Sequence, residues 1–252
     1  MITVKNLQKS FDGKQVLKDI SMSFRPGECN MLIGASGSGK TVLLNMLIGL
    51  TEPDSGEIWY GDEEFTRMSE TEKKAVHQKI GVLFQGSALF DFRTVLGNIM
   101  FPMDFLTDWS PAEKKERARY LLDKVNVKDS EDKYPDELSG GMQKRVGIAR
   151  AIALDPEYLF CDEPNSGLDP ETSIVIDQLI SSLTKELGIT TIMNTHDMNS
   201  ILEIGDNIGF LHKGTILWEG DRHSILSSDC RQLTDFLCSN TLARNIIRPQ
   251  GR

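Results

Sequence analysis

Residues 34–41 read Gly34-Ala35-Ser36-Gly37-Ser38-Gly39-Lys40-Thr41, which fits the pattern GxxxxGK[ST]. Glycines leave the backbone N–H groups open to phosphate oxygens, and a helix that follows offers the positive end of its dipole. Lys40 can reach the β- and γ-phosphates, and the Thr41 hydroxyl can ligate Mg²⁺. The pattern predicts a phosphate loop for ATP with Mg²⁺. The alternative is a flexible glycine turn between two ordinary strands.

The segments around this loop have the order that the motif requires. A short apolar strand is predicted at 29–33, and a helix-like run follows at 40–50. A second buried-strand pattern, at 158–161, ends in Asp162 and Glu163. Asp162 at such a strand end can hold Mg²⁺ through water, and Glu163 can polarise the attacking water. Together the two segments predict an enzyme that hydrolyses ATP.

Composition narrows the class of protein. A chain of 252 residues with 39% hydrophobic content can bury one sizeable core. No apolar run approaches the length that a bilayer requires, and Met1 leads directly into a strand-like stretch. We therefore expect no secretory signal and a cytoplasmic location. The net charge of −9 disfavours binding to a phosphate backbone, so we expect no nucleic-acid partner.

Strand and helix patterns alternate in the last third of the chain. Strands are predicted at 158–162 and 189–194, and helices at 170–187 and beyond Asp197. This alternation implies a mainly parallel sheet with crossover helices.

Two other regions have different patterns. Near the N-terminus, Asp12-Gly13 separates two strand-like stretches, which predicts an antiparallel hairpin. Between residues 85 and 156 the pattern is helical, and a capping box with Pro at the first helical position begins one helix at Ser110. Its predicted apolar face consists of Ala118, Leu121, Leu122 and Val125.

A third motif, Leu138-Ser139-Gly140-Gly141-Met142, opens a helix-like segment predicted at 143–154. Ser139 is a good N-cap, and the glycines leave backbone N–H groups bare at a helix N-terminus. This is a second anion site, and one chain does not need two γ-phosphate sites for one nucleotide. The economical interpretation is that it completes the pocket of another copy. A helix start that merely tolerates glycine is the alternative.

With these motifs in place, residues 1–228 resemble the nucleotide-binding subunit of an ABC transporter. The resemblance implies an α/β fold with a P-loop NTPase core and a mainly parallel sheet. It also implies an N-terminal antiparallel β subdomain and an inserted α-helical subdomain. The implied division is 1–85 and 156–228 for the core and β subdomain, 86–155 for the helical subdomain, and 229–252 for a C-terminal extension.

The resemblance also implies roles for single residues. Phe11 lies where the family stacks an aromatic ring on adenine, and Gln85 matches a glutamine that joins the Mg²⁺ site to the helical subdomain. Ser139, Gly140 and Gly141 match the signature that binds the opposite subunit's γ-phosphate. The run Ser166-Gly167-Leu168-Asp169 resembles the loop that couples the two sites, and His196 resembles the switch histidine beside the γ-phosphate. Glu163, Lys40, His196 and Gln85 are thus the implied catalytic residues, and Thr41, Gln85 and Asp162 the implied Mg²⁺ ligands.

Two features resemble the ATPases of Mla-type (Mce-associated) phospholipid transporters of double-membraned bacteria. Met142 stands where most of the family has Gln, and a GALFD-like run occupies 86–91. This resemblance implies phospholipid transport between inner and outer membranes, with the chain peripheral on the inner face of the bacterial inner membrane. The implied partners are a second copy of the chain and an integral permease. An Mce-type lipid-binding protein and a small regulatory subunit are implied less directly.

Three alternatives to phospholipid transport stay open. An importer or exporter of another small solute, such as an amino acid, is the nearest. The second is a soluble ABC protein without a permease, although the chain has one cassette and no zinc-type cysteine spacing. The third, a scaffold that binds nucleotide without hydrolysis, is disfavoured by the Asp162-Glu163 pair and His196.

Overall fold

The computed structural model describes residues 1–238, which form two β-sheets and eight α-helices. In chain order the elements are β1 (Ile2–Phe11), β2 (Lys14–Phe24), β3 (Cys29–Ile33), α1 (Lys40–Leu47), β4 (Ser55–Tyr60), β5 (Glu63–Glu64), α2 (Glu70–His77), β6 (Ile80–Leu83), α3 (Val95–Leu106), α4 (Pro111–Lys124), α5 (Gly140–Ala151), β7 (Tyr158–Asp162), α6 (Pro170–Leu187), β8 (Thr190–Thr195), α7 (Met198–Ile204), β9 (Asn207–His212), β10 (Thr215–Gly220) and α8 (Arg231–Leu237).

The larger sheet has six strands in the order β10-β9-β3-β8-β7-β6, and all neighbours except β9 and β10 are parallel. Ile33 of β3 pairs with Thr195 of β8, and Asp162 of β7 pairs with Asn194 of β8. The carboxyl ends of these three central strands therefore meet at one edge of the sheet. Open parallel sheets place their ligand sites at this edge.

The smaller sheet is antiparallel, in the order β2-β1-β4-β5. Its first hairpin turns at Asp12 and Gly13, which both have positive φ, as the sequence predicts. One common apolar cluster is formed by buried side chains of β1, β2, α1, β3 and β7. The two sheets therefore share a core, and α1 lies within it.

Helices α3, α4 and α5 follow one another between β6 and β7, where the sequence predicts helices. The capping box of α4 is present: the Glu113 backbone N–H donates to Ser110 Oγ, and the Ser110 backbone N–H donates to the Glu113 carboxylate. The predicted apolar face of α4 is buried as well. A second apolar cluster joins these helices to α6, α7 and the parallel sheet.

Two helix boundaries differ from the sequence predictions. Helix α1 ends at Leu47 and not at residue 50, because Gly49 takes a left-handed conformation with φ of 78°. Helix α5 spans Gly140–Ala151 and not 143–154, because Ser139 caps it by accepting from the Met142 N–H. Both glycines after Ser139 therefore lie inside the first turn of α5.

Part of the predicted C-terminal extension can be placed. Helix α8 packs Leu233 and Leu237 into the core, and the Phe236 ring lies 5.4 Å from the Phe210 ring. Residues 239–252 lie outside the described part of the chain. Within residues 1–238, no helix combines the length and apolar character needed to cross a bilayer.

Candidate nucleotide site

The phosphate loop joins β3 to α1 at the carboxyl edge of the parallel sheet. Gly34, Gly37 and Gly39 all have positive φ, at 151°, 76° and 108°. Side chains adopt such conformations only with strain, so glycine is required for this path of the chain. Gly39 is the N-cap of α1, which leaves the backbone N–H groups of the first turn directed into the loop.

Gly34 is the most constrained of these glycines. A Cβ atom at this position would lie 2.2 Å from the carbonyl oxygen of Leu211, whereas a Cβ at Gly37 would meet nothing within 4 Å. We expect Gly34→Ala to lower the free energy of unfolding by about 2–4 kcal/mol, because strain adds to a clash with backbone.

Chemical denaturation would measure this difference, and Gly37→Ala is the matched control. Its cost should be only about 1–2 kcal/mol, because strain acts there without a clash. Equal losses in the two variants would contradict the role assigned to the Leu211 contact.

The Lys40 side chain folds back over the loop. Its Nζ donates to the carbonyl oxygens of Gly34, at 2.8 Å, and Ala35, at 3.3 Å. Burial lowers the pKa of Lys40, while the negative charges of Glu163 and Asp162 oppose that effect. The ammonium group thus faces both carboxylates across the site and has no carboxylate within salt-bridge distance among residues 1–238.

Asp162 ends β7 beside β8, and Glu163 is the next residue. Asn194 of β8 donates its Nδ2 to Asp162 Oδ1 at 3.0 Å, and the Asn194 carbonyl accepts from the Glu163 N–H at 3.1 Å. Glu163 itself has a left-handed backbone, with φ of 46°. Such strain costs about 1–3 kcal/mol and concentrates at functional sites.

The Glu163 carboxylate contacts Gln85 and His196, which the resemblance assigned to the site. His196 Nδ1 lies 3.2 Å from Glu163 Oε1, and Gln85 Nε2 donates to Glu163 Oε2 at 3.0 Å. Gln85 Nε2 also lies 3.3 Å from Ser166 Oγ. Residues from three separate segments thus meet on one carboxylate.

A cavity of about 760 Å³ opens beside these groups. Its wall includes Ala35, Ser36, Lys40, Glu163 and His196 from the predicted site. Part of the lining comes from β9 and α8, which sequence patterns did not connect with the nucleotide. These residues are Phe210, His212, Gln232, Asp235 and Phe236.

The remaining predicted site residues lie outside this cavity. Phe11 is 44% exposed at the end of β1, as a surface for ring stacking would require. Ser139 caps α5, and a Cβ at Gly141 would lie 2.5 Å from Thr172 Cγ2, so Gly141 packs closely against α6. Asp169 caps α6 and accepts from the Thr172 N–H and hydroxyl, and these hydrogen bonds lower the pKa of Asp169.

The structure also shows polar residues that sequence reasoning missed. Asn165 donates to buried Asp177 at 2.8 Å and to Ser200 at 2.9 Å. Burial raises the pKa of Asp177 to about 6. This network ties the segment after Glu163 to α6 and to α7, which follows His196. Lys144, a buried lysine on α5, is the other omission, and it contacts the Gln85 carbonyl.

The chemistry of the site fits a phosphate with Mg²⁺. In the described part of the chain, the Ser38 hydroxyl is buried without a hydrogen-bond partner, and the Lys40 ammonium bonds only to carbonyl oxygens. A phosphate group could satisfy both. Asp162, Thr41 and Gln85 offer carboxylate, hydroxyl and amide oxygens, which are the hard donors that Mg²⁺ prefers.

Comparison with known proteins agrees with this chemistry. Residues 17–166 match the family model described as ABC transporter. The chain is 42% identical over 223 residues to the methionine import ATP-binding protein MetN of Carboxydothermus hydrogenoformans, covering 87% of this chain and 66% of that protein. It is 36% identical over 251 residues to MetN of Clostridioides difficile, covering 100% and 77%. The probable ribonucleotide transport ATP-binding protein mkl of Mycobacterium leprae is 36% identical over 236 residues, with 94% and 68% covered.

Solved structures show the same likeness. A dimeric ATP-binding cassette in a post-hydrolysis state, bound to ADP and Pi, superposes with a TM-score of 0.80 at 32% identity, covering 88% of this chain and 99% of that one. The cbiO1 protein of Clostridium perfringens, part of the ABC transporter complex cbiONQ, gives a TM-score of 0.84 at 27% identity, covering 97% and 98%.

These matches confirm the predicted fold class, and the family match confirms the prediction of an ATP hydrolase that uses ATP with Mg²⁺. The chain spans just under two thirds of the C. hydrogenoformans relative, so what that whole protein transports is a separate question. The family match covers more than half of the sequence, and the chain accordingly belongs to the ABC transporter ATP-binding family.

Proposed function

We propose that this chain is the ATP-hydrolysing subunit of an ABC transporter, working as a homodimer on a separate membrane permease. One observation carries the proposal: Lys40, Glu163, His196 and Gln85, from four segments, converge beside one cavity at the carboxyl edge of the sheet. A scaffold that only binds nucleotide has no need for this convergence on Glu163.

In this proposal each residue has a distinct task. The backbone of the glycine loop and Lys40 offset charge on the phosphates. Thr41, Asp162 and Gln85 would hold Mg²⁺, and a bound Mg²⁺ would supply positive charge beside the phosphate oxygens. Glu163 orients the attacking water and accepts its proton, with His196 beside it. Phe11 stacks on the adenine ring.

The dimer follows from the position of the second anion site. Ser139, Gly140 and Gly141 lie outside the cavity that Lys40 and Glu163 line. If the Ser139 end of α5 serves a nucleotide, that nucleotide is bound by another copy. The dimeric cassette among the solved relatives supports this arrangement.

The surface that we propose for the permease is aromatic. Phe90, Phe92, Phe101 and Phe105 form a chain of rings with centroid separations of 4.5–5.5 Å. Phe92 and Phe105 are 76% and 70% exposed, and an apolar groove between this cluster and β6 lies next to them. Exposed aromatic patches of this kind mark protein interfaces. Docking there would place the chain on the inner face of the membrane.

For the cargo, we propose a small solute such as an amino acid. The names of the C. hydrogenoformans and C. difficile relatives, both methionine import proteins, support this choice. Phospholipid is the second candidate, because Met142 and the run at 86–91 resemble Mla-type ATPases. The names of the relatives do not support phospholipid as the cargo. They also do not support an Mce-type protein or a small regulatory subunit as a partner.

The permease and cargo can be identified together. Tagged Glu163→Gln chain, purified with ATP from mildly solubilised native membranes, should retain an integral permease, and Lys40→Ala serves as the control that should retain less. A soluble solute-binding protein among the retained proteins supports the importer, whereas an Mce-type protein with bound phospholipid supports the second candidate. Purely soluble partners would contradict a transport function.

A further inference from the structure

Two cations of helix α5 hold the segment that follows β6. Lys144 is only 4% exposed, and its Nζ donates to the backbone carbonyl of Gln85. One turn and a half further on, Arg150 donates to the carbonyls of Ser87 and Ala88, each at 2.6 Å. A Cβ on Gly147, between them, would lie 2.8 Å from Leu83 Cδ1. Helix α5 is therefore fixed closely against residues 83–88.

The burial of Lys144 has an electrostatic cost that needs an explanation. Burial lowers the pKa of Lys144, and the nearby negative charges of Asp162 and Glu163 oppose that effect. No carboxylate among residues 1–238 lies within salt-bridge distance of Lys144. Lysines are seldom buried without such a partner. A leucine or methionine would fill the same space between helix and sheet without this cost.

Gln85 is held from two directions at once. Lys144 donates to the backbone carbonyl of Gln85, and the Gln85 side chain donates to Glu163 and Ser166. Ser87 and Ala88, which follow, both have left-handed backbones, with φ of 60° and 46°. Non-glycine residues keep such conformations only where the surroundings fix them. Within this segment the α5 cations bond to the carbonyls of Gln85, Ser87 and Ala88.

We propose that Lys144 is a positioning residue for ATP hydrolysis: through the Gln85 carbonyl it fixes the Gln85 side chain against Glu163. Because Ser139 caps the N-terminus of α5, Lys144 also connects the half-site for a second copy's nucleotide to the catalytic carboxylate of its own chain. This inference rests on the proposed function for its effect on turnover, but the contact itself can be tested without nucleotide.

Lys144→Met removes the charge and the donor at similar length, and Lys144→Arg keeps both. We expect Lys144→Met to lower kcat for ATP by about 10- to 100-fold, because misplaced groups near reacting atoms cost this much. The KM for ATP should change less than about threefold, since Lys40 and the glycine loop are untouched. Lys144→Arg should recover most of the loss. Arg117→Gln is the matched control, because Arg117 also donates to backbone carbonyls, those of Ile152 and Ala153, and to no residue of the site.

The second measurement is hydrogen exchange of the nucleotide-free protein. In Lys144→Met, amides of residues 85–90 should exchange faster, including the Ser87 N–H that donates to Phe84 at 2.8 Å. Arg117→Gln should leave that peptide unchanged. Unchanged kcat in Lys144→Met, an equal loss in Arg117→Gln, or unchanged exchange at 85–90 would each overturn the proposal. A wild-type chain without ATPase activity would contradict the proposed function alone, and exchange would then decide the role of Lys144.

Discussion

Glu163→Gln should lower the ATP turnover of this protein by about 10²- to 10⁴-fold, the range for loss of a general base. The amide has the same shape as the carboxylate, so the contacts with Gln85 and His196 can be kept in altered form. What is lost is the negative oxygen that accepts a proton from water. ATP binding should change by less than about threefold, because the glycine loop and Lys40 are intact.

The bound state should accumulate as a consequence. A variant that binds ATP and does not hydrolyse it should remain in the closed dimer that the Ser139 half-site predicts. Phosphate release would measure turnover, and light scattering with chromatography would measure the mass of the ATP-bound form. Glu171→Gln, an exposed acid in the first turn of α6, is the control and should behave like wild type. Wild-type turnover in Glu163→Gln would remove Glu163 from the mechanism.

The sequence predicts those parts of the fold that depend on neighbouring residues. Strand β3, strand β7 and helix α6 have the predicted bounds or differ by one residue, because each is a short apolar run or a helix with clear caps. Their meeting at one edge also follows, since parallel strands align their carboxyl ends. The boundary of α5 was harder, because glycines discourage a helix unless a cap such as Ser139 compensates.

Contacts between distant segments could not be predicted from the sequence. Nothing local indicates that Lys144 reaches Gln85 or that Asn165 bonds to Asp177 and Ser200, because such pairings depend on how α5, α6 and α7 pack. The resemblance placed Gln85 and His196 at the site, and the structure shows both on the Glu163 carboxylate. Motifs thus predicted the site residues themselves. The residues that orient those site residues are visible only in the packed structure.

Lys40→Ala tests binding where Glu163→Gln tests chemistry. Among residues 1–238, Lys40 Nζ bonds only to the carbonyls of Gly34 and Ala35, and burial lowers its pKa. A phosphate would replace two neutral acceptors with a charged one, and hydrogen bonds to charged groups are worth about 1.5–3 kcal/mol. We expect the Kd for ATP to rise by roughly 10- to 100-fold. The change should appear equally with a slowly hydrolysed ATP analogue, since it does not depend on turnover.

The fold should tolerate this substitution, because alanine removes a buried charge together with its two bonds. Isothermal titration would give the Kd, and thermal unfolding without nucleotide should stay close to wild type. Lys115→Ala, an exposed lysine on α4, is the control for loss of one positive charge. If Lys40→Ala bound ATP like wild type but hydrolysed it slowly, Lys40 would act on the transition state alone. The buried ammonium would then serve to offset charge on the transferring phosphate, and the backbone of residues 34–41 would provide the affinity by itself.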